Sequence, residues 1–535
     1  MTKLLYFLLL VFALCAIQTS AGPQKNQGSQ SLQPQETQTS DAALPNGKAA
    51  PRNGKARKAI QSPNIRADNM VVMQRRRDAV RNAFRHAYNG YRKYAFGHDE
   101  LKPVSNKPAD PRNGFGATIV DSLDTMYIMG LEEEFKEARE FVAKLDWNKY
   151  TDPMVQVFET TIRYLGGLLS AYDMSGDRVF LDKAVELADK LMPSFNSPTG
   201  IPYQYVNFKS GAPARSGETG GASVLAEIGT LQLEFGHLAQ LTGNRTYFTK
   251  VQKVVDVLDK AKTTYPGLYP IYINPETAEF ETSFVTFGGG GDSFYEYLIK
   301  LFIYYGGEKP QYLRMYDESI THFAKYMVSG TANFSRLIQM NDLDGKNPIF
   351  HQGELACFLP GNLILAARIT DNPFYEQLAY PLMNSCYNAW IKTPTGIAPE
   401  SWWYVNSAGK RSRDFGTPEN KKRSEKWGFW PDSEGYILRP ETIESLFYFY
   451  RLTGNPKYQD MGWQIFNSIE KYCKTSSAYS GLKDVTDPSK GMDDTQESFF
   501  FAETLKYLYL LFSPPNVVSL DEWIFNTEAH PFRPK

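Results

Sequence analysis

A short phrase recurs along the chain, in which an apolar helical run ends at a polar turn, usually with glycine, and an aromatic residue soon begins another helix. Clear copies begin at residues 175, 242, 306, 370 and 453, and a fainter copy begins at 129. The spacing of roughly 65–85 residues suits two helices of about 12–15 residues with their connections. Because each helical hairpin must bury its apolar stripe against neighbours, the pattern predicts one large all-α domain, either a solenoid or a closed ring of paired helices.

The first 68 residues lack this pattern. Residues 1–21 place one lysine before an apolar run from Leu4 to Ile17. That run is shorter than the roughly 20 residues of a membrane span, so we interpret it as a signal peptide, with a short signal anchor as the alternative. Residues 22–68 contain almost no large apolar residue, which predicts a disordered polar stem or linker. The folded body is expected over residues 69–535.

Composition and charge exclude several classes of function. Lys and Arg number 58 against 59 Asp and Glu, so the net charge of −1 offers no basic field for nucleic acid. The six histidines and four cysteines show no HExxH or CxxC spacing, which disfavours a zinc site or a Ser/His/Asp triad. Aromatic residues make up 14% of the chain. Their combination with many carboxylates suits hydrolysis of glycosidic bonds, which needs an acid, a base and flat apolar faces for sugar rings.

A secretory route would place the chain in an oxidising compartment. Outside the signal segment three cysteines remain, at positions 357, 386 and 473, so one disulfide and one free thiol is the simplest arrangement. Asn244 and Asn333 each begin an N-glycosylation sequon that is usable in the same route.

Residues 288–300, GGGGDSFYEYLIK, place four glycines directly before Asp292 and an aromatic-rich amphipathic run. A phosphate-binding turn is disfavoured, because no P-loop Lys and Ser/Thr follow and Asp292 would repel the anion. Asp292 is therefore expected either to cap the helix or to face a cleft that the bare glycine backbone approaches closely.

Several other carboxylates lie in apolar or glycine-interrupted segments at the ends of predicted helices. Glu159 and Arg163 stand four residues apart in VFETTIRYLGG, so they share a helix face either as a surface ion pair or as a buried functional one. In LRPETIESLF, Arg439 precedes Glu441, and a proline stands where a helix can begin. Glu227, Glu400 and Glu503 also lie in apolar or glycine-interrupted segments, and Phe499 stands four residues before Glu503.

These segments resemble the class I α-1,2-mannosidases of glycoside hydrolase family 47. The resemblance rests on motifs that follow in order between about residues 73 and 533: VFETTIRYLGG, GETGGASVLAEIG, GGGGDSFYEYLIK, LACF, TGIAPE, LRPETIESLFYFYR, SFFFAETLKYLYLLF and FNTEAHP. It implies an (α/α)7 barrel, a closed ring of seven helical hairpins. It also implies a Ca²⁺-dependent exo-α-1,2-mannosidase that inverts configuration and trims terminal mannose from high-mannose N-glycans.

The resemblance assigns roles to four carboxylates. Glu159 would be the proton donor or part of its relay, and Glu400 a further catalytic carboxylate. Asp292 and Glu441 would flank the reaction centre, with Glu441 as the base and the four glycines thinning the backbone where the oligosaccharide enters. The implied substrate-binding residues are Arg163, Glu227, Arg439, Phe499 and Glu503.

The resemblance also implies a calcium site and a disulfide. Thr527 would bind Ca²⁺ directly through its carbonyl and hydroxyl oxygens, and Glu503 and Glu528 would reach the ion mostly through water, a ligand set that suits a hard cation. Cys357 and Cys386 match the disulfide positions of the family, which leaves the third cysteine free.

One residue departs from the family pattern: Glu354 stands where members commonly carry His, three residues before Cys357. This departure leaves the sugar contacts and the trimming order open. Two other functions remain, a non-catalytic mannose-binding quality-control protein of the same fold and a helical-repeat scaffold for protein partners. The protein is expected to be a monomer that is secreted or retained in the endoplasmic reticulum or Golgi lumen. It would be membrane-bound only if its N-terminal segment is an uncleaved anchor.

Overall fold

Helices dominate the fold and alternate along the chain between fully buried and half-buried segments. The structure is a computed structural model that describes residues 59–65 and 70–534. Its α-helical segments are, in chain order, α1 (Met70–Tyr94), α2 (Ala117–Asp121), α3 (Leu123–Met129), α4 (Glu132–Ala143), α5 (Val157–Glu159), α6 (Gly166–Ser175), α7 (Arg178–Leu191), α8 (Leu225–Ile228), α9 (Gln232–Thr242), α10 (Arg245–Leu258), α11 (Asp292–Tyr304), α12 (Pro310–Tyr326), α13 (Leu359–Thr370), α14 (Pro373–Lys392), α15 (Pro418–Trp427), α16 (Glu441–Thr453), α17 (Lys457–Tyr472) and α18 (Leu505–Leu511).

In the described chain, seven buried helices form an inner ring and seven half-buried helices surround it. The inner helices are apolar on nearly every face, and α16 buries every residue from Glu441 to Leu452. The outer helices carry one apolar stripe at helical spacing, as Val251, Val254 and Leu258 show in α10. The inner ring consists of α3, α6, α9, α11, α13, α16 and α18, and the outer ring of α1, α4, α7, α10, α12, α14 and α17.

Each inner helix packs against two inner neighbours, so the ring closes. The contacts run from α3 through α6, α9, α11, α13 and α16 to α18, and the turn that leads into α18 packs against α3. The first long helix, α1, packs on α18 and completes the seventh pair. The predicted (α/α)7 barrel is confirmed, and an open solenoid is excluded.

The recurring turns predicted from the sequence join each inner helix to the outer helix that follows it. Gly176 ends α6 at a φ of 72°, a conformation that residues with a Cβ rarely adopt. Asp177 then caps α7, since its carboxylate accepts a hydrogen bond from the Val179 N–H at 3.0 Å. Asn244 caps α10 in the same way. The turn chemistry therefore fixes where one helix ends and its partner begins.

Short antiparallel strands fill most of the connections from an outer helix to the next inner helix, at one end of the barrel, and one further hairpin follows the last inner helix. They pair as β1–β2, β3–β4–β5, β6–β7, β9–β10, β8–β11–β12, β13–β14–β15 and β16–β17. Their bounds are β1 (Glu100–Lys102), β2 (Lys107–Ala109), β3 (Met154–Gln156), β4 (Tyr205–Asn207), β5 (Pro213–Ala214), β6 (Ser223–Val224), β7 (Tyr272–Ile273), β8 (Phe284–Val285), β9 (Val328–Thr331), β10 (Phe334–Met340), β11 (Asp342–Asp344), β12 (Asn347–Ile349), β13 (His351–Gly353), β14 (Ser401–Trp403), β15 (Trp430–Ser433), β16 (Ile524–Phe525) and β17 (Pro531–Phe532).

Residues 59–65, which lie within the predicted stem, contact the barrel. Ile60 is only 5% exposed, and the N–H groups of Ile60 and Gln61 both donate to the Asp521 carboxylate. The next N–H along the chain donates to the carbonyl of Arg451 at 2.9 Å. This segment is therefore bound to the barrel. Its few apolar residues stand within a polar stretch, so composition alone does not reveal them.

The predicted signal segment and most of the predicted stem lie outside the described residues. All described residues belong to one compact unit. Among them, no helix combines the length and the apolar character that crossing a membrane requires. Cys357 and Cys386 form a disulfide with an S–S distance of 2.08 Å, which confirms the expected pairing. Cys473 is a buried free thiol.

Candidate active site

The inner helices all run in the same direction, because each outer helix returns the chain, so their N-terminal ends meet at one mouth of the barrel. Asp292 is the first residue of α11, and Glu441 is the first residue of α16. Glu159 and Glu503 lie at the turns that lead into α6 and α18. The fold therefore brings together carboxylates that the sequence separates by hundreds of residues.

Two of these turns are wide π-helical turns, a rare geometry that is concentrated at functional sites. The first covers Thr160–Leu165, follows Glu159 directly and contains Arg163. The second covers Phe500–Thr504 and contains Glu503. Each π turn thus carries a charged side chain into the mouth of the barrel.

Arg163 is the centre of a buried charge cluster. Its Nε donates to Glu159 Oε2 at 2.7 Å, and its Nη1 donates to Glu528 and lies 3.5 Å from Asp121. The Arg163 side chain is 6% exposed. The Glu159 side chain is 25% exposed, so the pair is a partly buried ion pair that lines the mouth rather than a surface one.

A second arginine, Arg112, reaches the same carboxylate, and the sequence analysis did not identify it. Its Nη1 lies 3.3 Å from Glu159 Oε2, and its Nη2 donates to Glu497 at 2.9 Å. Asp99 shapes the loop that carries Arg112 by accepting several backbone N–H groups, including that of Arg112 at 2.8 Å. No local spacing could reveal Arg112, since all its partners are distant in sequence.

Burial raises the pKa of Glu159, but Arg112 and Arg163 outweigh that effect and lower the pKa to about 2. Glu159 is therefore a carboxylate at any working pH. With this ionisation Glu159 would suit the relay rather than the proton donor, and its role stays a prediction.

Arg439 organises a second cluster. Its Nε donates to Glu400 Oε2 at 2.7 Å, and its Nη1 lies 3.7 Å from Glu441 Oε1. The other oxygen of Glu400 accepts the Ile437 N–H at 3.1 Å. Leu438, just before Arg439, has a φ of 72°, a strained conformation for a residue with a branched side chain. Glu400 is thus engaged in holding Arg439, which in turn faces Glu441.

Phe499 lies between the two clusters. The guanidinium carbons of Arg163 and Arg439 lie 5.6 and 5.9 Å from the centroid of its ring, and Phe499 is 6% exposed. These distances suit cation–π attraction from both cations. Phe499 therefore keeps the two arginines apart while holding both at the mouth of the barrel.

Asp292 and Glu441 differ from Glu159 in their proton affinity. Burial raises the pKa of Asp292 to about 7, with Glu296 adding to the effect and Arg439 opposing it. Burial likewise raises the pKa of Glu441 to about 7, again against Arg439, and the charge of Asp292 contributes. The site thus combines one fixed carboxylate with two groups that exchange protons near neutral pH, which suits acid–base catalysis.

Two of the four glycines before Asp292 have an explanation within the chain. Gly291 is the N-cap residue of α11, and a Cβ there would meet the Thr286 carbonyl oxygen at 2.2 Å. Gly290 has a φ of 93°, and its carbonyl accepts the Ala226 N–H at 2.9 Å. Close packing of the chain on itself therefore requires these two glycines, and the thinning of the backbone for a substrate stays a prediction. Asp292 is not the cap residue and is available to the mouth.

Glu227 stands on the wall next to Glu159. Its two oxygens accept hydrogen bonds from the side-chain amides of Gln156 and Gln204, each at 2.9 Å. Burial raises the pKa of Glu227 to about 7, and the charge of Glu159 adds to this effect. Glu227 therefore belongs to the same end of the barrel as the other predicted residues.

The C-terminal hairpin β16–β17 inserts into the barrel and presents Thr527 at its tip. Asn526 anchors the hairpin, since its side-chain amide donates to the Ile162 carbonyl at 3.0 Å and to Glu234 at 2.8 Å. Lys506 donates to the Ala529 carbonyl at 2.6 Å. Thr527 itself is partly exposed, and its N–H donates to a tyrosine hydroxyl of α11.

His530 fixes the base of the same hairpin, and the sequence analysis did not assign it a role. Its two ring nitrogens lie 3.0 Å from Asp121 and 2.8 Å from Asp124, and all three side chains are fully buried. Asp124 also pairs with Lys506 at 2.8 Å. A buried ionic network therefore ties the hairpin to α2 and α3.

The residues around Thr527 fit a hard cation. Burial raises the pKa of Glu503 and Glu528 well above the usual range, and for Glu503 the charge of Glu528 adds to the effect. Glu503 is 7% exposed and makes no hydrogen bond or ion pair with any other residue that the structure describes. Within residues 59–65 and 70–534, no three His, Cys, Asp or Glu side chains converge with metal-binding geometry. The Thr527 oxygens and water would therefore supply most of the ligands, as Ca²⁺ allows.

Both sequon asparagines lie on the exterior. Asn244 is exposed at the start of α10, and Asn333 is exposed in the turn between β9 and β10 with a φ of 63°. Their glycosylation stays a prediction.

The mouth of this closed ring of paired helices holds one carboxyl group with a lowered pKa and two with raised pKa values. This combination defines a glycoside hydrolase of the α/α-barrel class. The family model of glycosyl hydrolase family 47 matches residues 83–534. The chain belongs to this family, which confirms the resemblance seen in the motifs.

Relatives and a solved structure agree with this assignment. The chain is 47% identical over 474 residues to mannosyl-oligosaccharide 1,2-alpha-mannosidase MNS1 of Arabidopsis thaliana. This match covers 86% of this chain and 79% of the relative. It is 40% identical to the human mannosyl-oligosaccharide 1,2-alpha-mannosidase IB, with coverage of 86% and 70%. The solved alpha-1,2-mannosidase from Trichoderma reesei superposes with a TM-score of 0.82 at 35% identity and covers 86% of this chain and 99% of that chain.

Proposed function

We propose that this protein is a Ca²⁺-dependent, inverting exo-α-1,2-mannosidase that removes terminal α-1,2-linked mannose from high-mannose N-glycans. The observation that carries the proposal is the pair Asp292 and Glu441, both with pKa raised to about 7, in a barrel whose relatives are named α-1,2-mannosidases. The β16–β17 hairpin closes the far side of the site, so a glycan enters from one mouth only. A site with one entrance suits an enzyme that removes the terminal sugar.

In this mechanism Asp292 is the acid and Glu441 is the base. Protonated Asp292 delivers its proton to the glycosidic oxygen, and ionised Glu441 takes a proton from the water that attacks the anomeric carbon from the opposite face. Inversion requires room for that water, so the two carboxyl groups are expected to stand roughly 6.5–9.5 Å apart. Glu159, held ionised by two arginines, relays a proton or orients a water beside the acid.

The remaining side chains position these groups. Arg439 favours the ionised form of Glu441, and Glu400 holds Arg439 in place. Phe499 keeps bulk water from the space between the two arginines. Arg163 and Glu227 offer hydrogen-bonding groups to sugar hydroxyls from the opposite wall. Preorganised charges of this kind stabilise a developing oxocarbenium ion without rearrangement during the reaction.

Thr527 would hold Ca²⁺ through its carbonyl and hydroxyl oxygens, with Glu503 and Glu528 acting through water. A bound Ca²⁺ would accept hydroxyl oxygens of the terminal mannose as ligands, which would favour a distorted sugar ring. The buried, partnerless carboxyl of Glu503 supports this assignment because a nearby cation would offset the cost of its burial.

The first test measures mannose release from an α-1,2-linked mannobiose, with and without EGTA, while NMR follows the anomer. We expect β-mannose as the first product and loss of release in EGTA that added Ca²⁺ restores. Asp292→Asn should abolish turnover with little change in thermal stability. Initial α-mannose, or full activity in Asp292→Asn, would contradict the mechanism. Binding of high-mannose glycans without any turnover would favour the non-catalytic alternative.

Routing through the secretory pathway fits the chemistry of the chain. The Cys357–Cys386 disulfide requires an oxidising compartment, and both sequons are exposed. We place the enzyme in the lumen of that pathway or outside the cell, acting as a monomer on glycoprotein N-glycans. Mass spectrometry of the purified protein tests this placement through glycans on Asn244 and Asn333.

A further inference from the structure

Glu354, the residue that departs from the family pattern, is fully buried behind the catalytic cluster. It begins a short 3₁₀ turn, Glu354–Phe358, between β13 and α13, and its relative exposure is 0%. The register of β13 with β14 places it beside Glu400, whose carbonyl accepts the Glu354 N–H at 2.9 Å. The mechanism described above does not use this carboxyl group.

The hydrogen bonds of Glu354 are divided unequally between its two oxygens. Oε1 accepts from Trp390 Nε1 at 3.0 Å and from the Thr442 hydroxyl at 2.6 Å. Oε2 is buried and has no hydrogen-bond partner among the described residues. A carboxylate would leave negative charge on that buried oxygen at high cost, whereas a neutral acid has a carbonyl that accepts and a hydroxyl that donates.

The surrounding charges favour the neutral form. Burial raises the pKa of Glu354 to about 8 despite the Thr442 hydrogen bond, and the charges of Glu441 and Glu400 add to the effect. Burial raises the pKa of Tyr436, and the charges of Cys473 and Glu354 add to this effect; Arg439 is turned toward Glu400 and Glu441. No cation forms an ion pair with Glu354 within the described part of the chain.

The neighbouring general base shows the complementary feature. Glu441 directly precedes Thr442, which bonds Glu354, and the Oε2 atom of Glu441 is also buried without a partner among the described residues. Two buried carboxyl oxygens without partners thus belong to groups near enough that, besides burial, the charge of Glu441 raises the pKa of Glu354.

We propose that Glu354 is a neutral carboxylic acid at the working pH and that its Oε2 hydroxyl donates a hydrogen bond toward Oε2 of Glu441, directly or through one water. Glu354 is then a positioning residue that favours the ionised form of the base. A carboxylic acid kept neutral so that it can donate a hydrogen bond is an established catalytic device. This inference rests on the proposed role of Glu441 as the general base.

The test compares the pH dependence of kcat for the wild type, Glu354→Gln and Glu354→Leu. The acid limb of the profile, where kcat falls as the pH decreases, reports the ionisation of Glu441. Glutamine offers the same acceptor and donor pattern as a neutral acid, so we expect that limb to move by less than about 0.3 pH unit. Leucine removes the donor, so the limb should move up by about one pH unit, the usual size of one charged hydrogen bond.

Other outcomes would overturn the proposal. If Glu354 is ionised, both variants remove a negative charge beside Glu441, and both acid limbs move to lower pH. If Glu354 only fills space, both variants lose stability or kcat without moving the limb. A glutamine variant that fails to fold would also contradict the proposal, since glutamine reproduces the hydrogen bonds of the neutral acid.

A spectroscopic measurement separates this proposal from the assignment of Glu441. Infrared difference spectra of the folded wild type against Glu354→Gln should contain the C=O band of one protonated carboxylic acid at pH 7. That band should disappear from the wild type as the pH rises through about 8. A carboxylate band at pH 7 would refute the neutral acid, whatever role Glu441 has. A protonated band with unmoved kinetic limbs would refute its action on Glu441.

Discussion

Replacing Arg439 by glutamine should move the pH profile of mannose release to higher pH. Arg439 Nη1 lies 3.7 Å from Glu441 Oε1, and its charge lowers the pKa of both Glu441 and Asp292 against the effect of burial. A neutral side chain removes that cation, so both carboxyl groups hold their protons to higher pH. Glu441 must ionise on the acid limb of the profile, and Asp292 must stay protonated on the alkaline limb. Both limbs therefore move to higher pH.

The magnitude follows from the geometry. Two unit charges 3.7 Å apart interact by about 4.5 kcal/mol at an effective dielectric constant of about 20, which is an upper bound. Solvation and relaxation leave about 1.5–3 kcal/mol for a contact with a charged group, or about one to two pKa units. At pH 6, where about a tenth of Glu441 is ionised at a pKa of about 7, this shift lowers kcat by about 10- to 100-fold.

The assay is kcat against pH for the wild type, Arg439→Gln and Arg439→Lys, with thermal denaturation of each as a folding control. Lysine retains the charge but loses the fork that spans Glu400 and Glu441, so we expect a lower kcat with the acid limb displaced by less than about 0.5 pH unit. A glutamine variant whose limbs do not move would show that Arg439 acts by orientation alone. A shift to lower pH would refute the electrostatic reasoning.

Three further changes test other parts of the molecule. Ile60→Asp should lower the free energy of unfolding in urea by about 2–3 kcal/mol without changing kcat, and an unchanged midpoint would contradict the docking of this segment. Replacing Cys357 and Cys386 by alanine, which opens a link across 29 residues, should cost about 3.5 kcal/mol in guanidinium unfolding, and reductant should reproduce the loss in the wild type. Arg112→Met should raise the pKa of Glu159 yet leave it ionised, so kcat/KM falls about tenfold while the acid limb stays in place; a displaced limb would contradict this.

The helical hairpins were predictable because local chemistry determines them. Glycine ends several inner helices where the chain reverses, as Gly176 and Gly243 do, and Asp177 and Asn244 show that the next residue caps the outer helix. The seventh pair was not visible in this pattern. Its members, α1 and α18, lie at opposite ends of the chain, and only closure of the ring brings them together.

The candidate site divides in the same way. Glu159, Asp292 and Glu441 were predictable because each stands in a distinctive segment at the start of an inner helix. Arg112 was not, since Asp99 and a loop of its own determine where it points, and its partners lie far away in sequence. The ionisation states were equally hidden: Glu159 and Glu441 look alike as residues, but two arginines hold one ionised, whereas burial outweighs the single arginine beside the other.

Arg163 shows why the site depends on the C-terminal hairpin. One guanidinium, carried on a π turn, donates both to Glu159 in the mouth and to Glu528 beside Thr527. The position of the fixed carboxylate and the position of the expected calcium ligand therefore share one buried anchor. A substitution that displaces the hairpin would disturb Glu159 even where it leaves every catalytic carboxyl group intact, because Arg163 and Glu528, whose side chains are 6% and 3% exposed, have little solvent to replace a lost partner. The β16–β17 hairpin is thus a structural part of the candidate active site.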